Sequence, residues 1–284
     1  MSDALPDLGS TGIGSLPPMD LEEVWRGIFS LDIPYLPIFP QVDPGEGMLQ
    51  QLKGNPPKAL GEFLKQVERN KPKWVKLQWP GPHTLAMTGV EDFRERAKRM
   101  EQFIFHLVHP VQKVCPNVLF FFDEPGLSVL DIHQGHQKEG IEDLKLWTKE
   151  LKEEGVRVGV HCCSDAPWAQ LLALPLDVIA FDAELSLVSI LKEKTALKKW
   201  HKKGGRLAIG IVPTKVSADW SAAERARVAQ QAAEQFLGKK AGAELLRSSL
   251  LTPACGLGLR SADEARQVFA ELNKVQGILK EKLL

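Results

Sequence analysis

This 284-residue chain lacks an excess of charge of either sign: 36 Lys and Arg stand against 36 Asp and Glu, and the formal net charge is zero. That balance removes broad attraction to nucleic acid or to an anionic membrane as an expectation. Long hydrophobic runs are absent too. No uninterrupted apolar stretch is long enough to cross a bilayer, and the opening MSDALPDLGS has neither the basic nor the apolar region of a secretory signal. Cysteine is scarce, with four in the whole chain. Without a secretion signal, that number points to free thiols in a reducing compartment rather than a disulfide framework, so the expected location is the cytoplasm. No Gly/Ser linker or shift in composition divides the chain, and the expectation is one domain over residues 1–284. The 44% apolar and 25% charged residues are those of a globular protein with a substantial core.

Short β-type runs alternate with longer stretches of helical period, eight times over. The expected strands are 11–15, 35–39, 74–79, 118–123, 157–163, 178–182, 206–212 and 249–255. The expected helices are 21–29, 57–69, 91–114, 141–154, 168–173, 188–201, 222–237 and 262–282. Strands that alternate with helices imply βα units and a parallel sheet. Eight units in this length match an α/β fold of the closed (β/α)8 TIM-barrel type better than an open doubly wound sheet.

Ser15, Asp123, His161, Cys163, Asp182 and Cys255 all fall at the C-terminal ends of expected strands, the rim that carries chemistry in a barrel. Residues two apart on a strand share a face, so His161 and Cys163 can reach one ligand while Cys162 faces away. Imidazole, thiolate and carboxylate together are a zinc donor set, and the sulfur pair favours zinc over magnesium or calcium. The competing reading is that Cys163 and Cys255 are small buried hydrophobes. The glycines of Gly12-Ile13-Gly14-Ser15 let backbone approach a ligand closely, and consecutive N–H groups there can grip a carboxylate; a tight βα turn is the plainer alternative.

Asp123 and Glu124 point to opposite sides of a strand and do not form an acid/base pair. Lys76 and Gln78 share a face, with Lys76 either paired inside with a group such as Asp123 or snorkelling outward. The segment carrying Asp131, His133 and His136 reads as a loop over the barrel mouth rather than a metal motif. Lys192 to Lys203 reads as a solvated helix face. Trp168 and Trp220 are packing candidates, and Cys115 a structural one.

Seven segments carry a family resemblance: TGIGSLP (11–17), VKLQWPGPHT (75–84), FFFDEPGLS (120–128), VGVHCCSDAPW (158–168), DVIAFDA (177–183), AIGIVPT (208–214) and SLLTPACGLG (249–258). In order and over almost the whole chain, they resemble the catalytic barrel of cobalamin-independent methionine synthase, in the superfamily shared with uroporphyrinogen decarboxylase, and its short single-barrel members most of all. The resemblance implies a zinc ion on His161, Cys163, Asp182 and Cys255, with Asp182 standing where full methionine synthase has Glu. It implies that Ile13, Gly14 and Ser15 hold the carboxylate of homocysteine, that Asp123 binds its ammonium group, and that Glu46 is a second ammonium ligand. His161, Cys163 and Asp123 are then the catalytic candidates.

The activity so implied is methyl transfer to a thiol, giving methionine from homocysteine. Full-length methionine synthase adds an N-terminal barrel that helps bind its polyglutamylated folate donor, and 284 residues leave no room for it. The expected donor is therefore a methylcorrinoid such as methylcobalamin, free or on a partner corrinoid protein, rather than methyltetrahydrofolate. A uroporphyrinogen decarboxylase-like enzyme would need an Arg-rich cleft, whereas Arg157 and Arg206 fall at strand starts. A zinc- or corrinoid-binding barrel without turnover is the non-enzymatic alternative.

Overall fold

Runs rich in Val, Ile, Leu and Phe form six strands: β1 Val75–Pro80, β2 Val118–Asp123, β3 Arg157–Cys162, β4 Val178–Asp182, β5 Arg206–Val212 and β6 Leu250–Pro253. The computed structural model describes residues 4–43, 56–87, 93–129 and 135–284. Within them the strands lie in sequence order, each parallel to the next. Helices fill the crossovers, making an α/β fold with a curled parallel sheet.

The strands are apolar almost without interruption because both faces are covered. Alternation still sorts the two sides. Trp74, Leu119, Phe121, Val178, Ala180, Ala208 and Leu250 join Leu5 and Ile33 in a small cluster on the concave side. The intervening Leu77, Phe120, Phe122, Val158, Val160, Ile179, Phe181 and Ile209 belong to the larger core under the helices. Each such side chain contributes ~1.5–3 kcal/mol by leaving water.

The helices start where the sequence supplies caps. Ser221 accepts from Glu224 N at the head of Ala222–Leu237. Ser261 and Glu264 form a reciprocal capping box at the head of Ala262–Leu283. No described helix is long and apolar enough to cross a membrane.

Two of the eight expected strands do not form ladders. Residues 11–15 and 35–39 contribute isolated parallel bridges, Ser15 to Ile38 and Tyr35 to Lys76, while the neighbouring Ser10 bridges to Leu251. Their backbone explains this. Pro34, Pro37 and Pro40 lack N–H donors, and Gly14 turns the chain with φ +30°. The contacts nevertheless run from β6 to β1: Thr11 N donates to Leu251 O, Ile33 N to Ser10 O, and Lys76 N to Pro34 O.

Helical expectations shift in three places. The long helix over 91–114 appears, among the described residues, as Phe93–Phe103, a π turn at Ile104–Val108 and a short helix His109–Gln112. Pro110, which cannot donate to the preceding turn, accounts for that change in winding. The stretch 188–201 is two helices, Ala183–Lys192 and Lys194–Lys202, broken at Glu193. The helix Lys239–Arg247 was not expected; its Gly242 lets it lie against Ala233, whose backbone would be 2.6 Å from an added Cβ.

Candidate metal centre

β3 delivers the first two donors. Val158 and Val160 pack under the helices, so Gly159 and His161 face the other way. At Gly159 an added Cβ would meet the Phe121 ring at 2.8 Å, so glycine leaves room for that ring below His161. Cys163 follows the strand end, and Cys255 follows β6.

Strands β3 and β6 are three places apart in the sheet, roughly 14 Å in a flat sheet at the usual spacing. Yet one donor atom each from His161, Cys163 and Cys255 lies within 4.8 Å of the others. Curling of the sheet brings them together.

The imidazole of His161 is 5% exposed, and neither ring nitrogen has a hydrogen-bond partner among the described residues. A buried polar atom left in that condition costs free energy unless something else satisfies it. Both thiols are half-buried. Hydrogen bonding from Cys255 holds Cys163 well below the usual thiol range. Cys255, which keeps the shared proton, is pushed up by that bond to Cys163 and by burial.

One nitrogen and two sulfurs at this separation fit zinc, whose tetrahedral Zn–N and Zn–S bonds of ~2.0–2.3 Å place ligands roughly 3.5 Å apart. A slight closing of the three side chains completes the geometry. Cys162, by contrast, is fully buried in the outer core and its thiol donates to Ser164 O at 3.5 Å.

Asp182 stands apart from this group. It ends β4, and its Oδ1 accepts from Glu184 N at 2.8 Å as the N-cap of Ala183–Lys192. The described cluster therefore has three protein donors, with the expected fourth engaged at a helix start. Burial pushes the Asp182 carboxyl up.

Asp123 is the register partner of His161. Burial raises its pKa, while His161 and Lys76 oppose that shift. Adjacent Glu124 has a different environment. It is fully buried and accepts from His83 N at 2.8 Å, Thr84 N at 2.7 Å and Thr84 Oγ1 at 2.6 Å. Burial still pushes it up to about 7. Glu124 thus anchors the turn after β1 rather than the site, a role the GPHT segment did not disclose.

The Gly12–Ser15 turn packs directly on the Cys255 loop. Ser15 Oγ accepts from Gly258 N at 3.1 Å, and Leu257 N donates to Ser15 O at 2.8 Å. A Cβ at Gly14 would lie 1.1 Å from Gln78 Nε2, so only glycine fits. The N–H groups of Ile13, Gly14 and Ser15 donate to no acceptor among the described residues.

Deeper on the concave side Lys76 is 1% exposed. Its Nζ donates to Gln78 Oε1 at 2.5 Å and lies 4.8 Å from the Phe121 ring centroid. It faces inward rather than snorkelling, and burial pushes it down to about 8 despite the nearby Asp123. The hydroxyls of Tyr35 and Thr252, also buried and without a partner among the described residues, are not signalled by the sequence because each sits in an apolar run. Glu46, Asp131 and His133 lie outside the described residues, as does the side chain of His136.

No protein-family model matches the chain, and no curated protein matches it. Solved structures do resemble it. A B12-independent methionine synthase from Shewanella sp. W3-18-1, in complex with selenomethionine, aligns with TM-score 0.54 and 18% identity over 78% of this chain and 67% of its own. A D-psicose 3-epimerase from Clostridium cellulolyticum H10, with D-tagatose, aligns with TM-score 0.53 and 13% identity over 95% and 99%. At these identities the likeness concerns the fold, and the two neighbours differ in chemistry.

Proposed function

We propose that this chain is a zinc-dependent methyltransferase that alkylates a thiol, with homocysteine as acceptor and a methylcorrinoid as donor. The observation that carries it is the buried His161, both of whose nitrogens are unpartnered among the described residues, beside the two sulfurs of Cys163 and Cys255. Of the two fold neighbours, the methionine synthase suits this soft donor set. An aldose epimerase would be better served by hard oxygen ligands. In this reading the 9–16 and 33–38 segments are the first two staves of a closed eight-stranded barrel, consistent with their bonds to β6 and β1.

His161, Cys163 and Cys255 hold the ion. Zinc, when bound, lets a substrate thiol lose its proton at neutral pH and so become a nucleophile. With Asp182 engaged as a helix cap, these three side chains would hold the ion and leave it open to the acceptor thiol. The N–H groups of Ile13, Gly14 and Ser15, which meet no acceptor among the described residues, grip the acceptor's carboxylate. Asp123 takes its ammonium group, and that positive charge counteracts the rise in the Asp123 pKa that burial causes. Glu46 is proposed as a second ammonium contact. Lys76 lies below this pocket, and its positive charge favours ionised Asp123.

A decarboxylase acting on several carboxylates fits less well, because Arg157 and Arg206 sit at the opposite strand ends, ion-paired to Asp177 and Asp7. Incubation of the zinc-loaded protein with homocysteine and methylcobalamin tests the proposal, and methionine is the expected product. Methionine from methyltetrahydrofolate alone would replace the donor assignment. Stoichiometric zinc with no methionine from either donor would leave a binding barrel without turnover.

A further inference from the structure

Strand β1 sends alternate side chains to opposite sides of the sheet. Val75, Leu77 and Trp79 belong to the core under the helices, so Lys76 and Gln78 both face the concave side. Gln78 stands two residues nearer the rim.

Both ends of the Gln78 amide have definite neighbours. Its Oε1 accepts from Lys76 Nζ at 2.5 Å. An ammonium group donates and never accepts, so this bond fixes which end of the amide is the oxygen. The Nε2 end therefore faces the other way, and there it fills the space over Gly14, 1.1 Å from where a Cβ would stand. Position 14 is glycine because this amide takes the place of a side chain. Gln78 is only 6% exposed, yet its Nε2 donates to no acceptor among the described residues. A buried amide donor in that condition costs free energy until an acceptor reaches it.

The neighbourhood says what that acceptor is. Gly14 belongs to the turn whose Ile13, Gly14 and Ser15 N–H groups also meet no acceptor among the described residues. That turn lies against the loop after Cys255: Gly258 N donates to Ser15 Oγ at 3.1 Å, and a Cβ at Gly256 would be 3.2 Å from Ile13 O. Backbone and side-chain donors thus gather beside a half-buried thiol. Several N–H groups on one side of a pocket suit the two oxygens of a carboxylate.

We infer that Gln78 sets the specificity for the acceptor: its Nε2 donates to the carboxylate held by the 13–15 turn, and Lys76 is the positioning residue that holds the amide oxygen away from it. The site then takes a thiol that carries a carboxylate in preference to one that lacks it. This rests on the acceptor reading proposed above, and adds to it the side chain that recognises the carboxylate.

Calorimetry of the zinc-loaded full chain tests this with two thiols, homocysteine and 3-aminopropane-1-thiol, which is homocysteine without its carboxylate. The quantity read is the ratio of the two affinities, and in the parent homocysteine should bind tighter. Gln78→Met, similar in length but without the amide, should lower that ratio about tenfold, the loss expected of one hydrogen bond to a charged group. Its zinc content should match the parent's. Gln78→Asn, which draws the same amide back by one methylene, should lower the ratio as well, so the outcome does not hang on the folding of one variant. Lys76→Met should lower the ratio in the parent background and lower it no further alongside Gln78→Met, whereas a lysine that served only the fold would leave the ratio unmoved in both. A parent that prefers homocysteine, with the same preference in both Gln78 variants, overturns the role of Gln78 and leaves the acceptor reading standing. A parent without that preference, or without thiol binding at all, overturns the acceptor reading as well. Additive losses from Lys76→Met and Gln78→Met overturn the positioning role of Lys76.

Discussion

The two ends of the sheet treat their polar groups in opposite ways. At the strand starts Asp177 is saturated, accepting from Lys152, Arg157 and the Val158 amide, and Arg206 donates to Pro6 O, Asp7 and Ser248 O. At the strand ends, His161 is just as buried as Asp177 but has no partner for either nitrogen among the described residues. Adjacent residues repeat the contrast: Glu124 has three donors from the turn after β1, while Asp123 faces the cluster. Satisfied groups hold the fold together. Unsatisfied ones need a ligand to complete them.

The largest effect should come from breaking the unsatisfied end. Cys255→Ser removes one of two sulfurs and should lower zinc affinity a hundredfold or more, since loss of mere outer-sphere partners already costs ~10–100-fold. Metal analysis after dialysis against a weak chelator measures it; full retention would mean Cys255 is not a ligand.

Lys76 sharpens the comparison, being a buried cation whose Nζ donates to Gln78. Its pKa is lowered to about 8 from 10.5, so between those values the unfolded chain binds more protons than the folded one. Stability therefore rises with pH through that window, and below it the fold carries a penalty of about 3 kcal/mol. Lys76→Met should stabilise the protein by about 2–3 kcal/mol at pH 7 and abolish the alkaline rise. Denaturant melts from pH 7 to 10 would show it, and loss of stability at pH 7 would contradict it.

Glu124 runs the other way. Its pKa is raised from 4.5 to about 7, so here the folded chain binds more protons, and stability falls as pH rises from 4.5 to 7 by about 2–3 kcal/mol. Glu124→Gln should flatten that decline in melts across the same interval, and an unchanged slope would assign it elsewhere.

Asp182→Ala should have the smallest effect, about 1 kcal/mol from the lost helix cap, with zinc content unchanged. A zinc loss matching that of Cys255→Ser would instead make Asp182 the fourth ligand.

Much of this was legible in residue order. The alternation of βα units and the inward face of His161 and Cys163 follow from period-two spacing and bore directly on the sheet. The first two strand segments were less legible, because Gly14 and the prolines at 34, 37 and 40 permit bridges but not ladders. Lys239–Arg247 was hidden by Gly238 and Gly242, which read as loop residues until close packing on Ala233 accounts for Gly242. At the site, spacing could pair His161 with Cys163 but could not bring Cys255 to them, since that depends on sheet curvature. Nor could sequence separate ligand from cap at Asp182: both roles call for an acid between a strand end and a helix start.

Zinc-edge X-ray absorption on the metal-loaded protein, with and without homocysteine, tests the central claim most directly. Two sulfurs and one imidazole nitrogen around the metal, rising to three sulfurs with homocysteine, is the predicted result. A sulfur count that stays at two when the thiol is added, or a protein that retains no zinc, would contradict it.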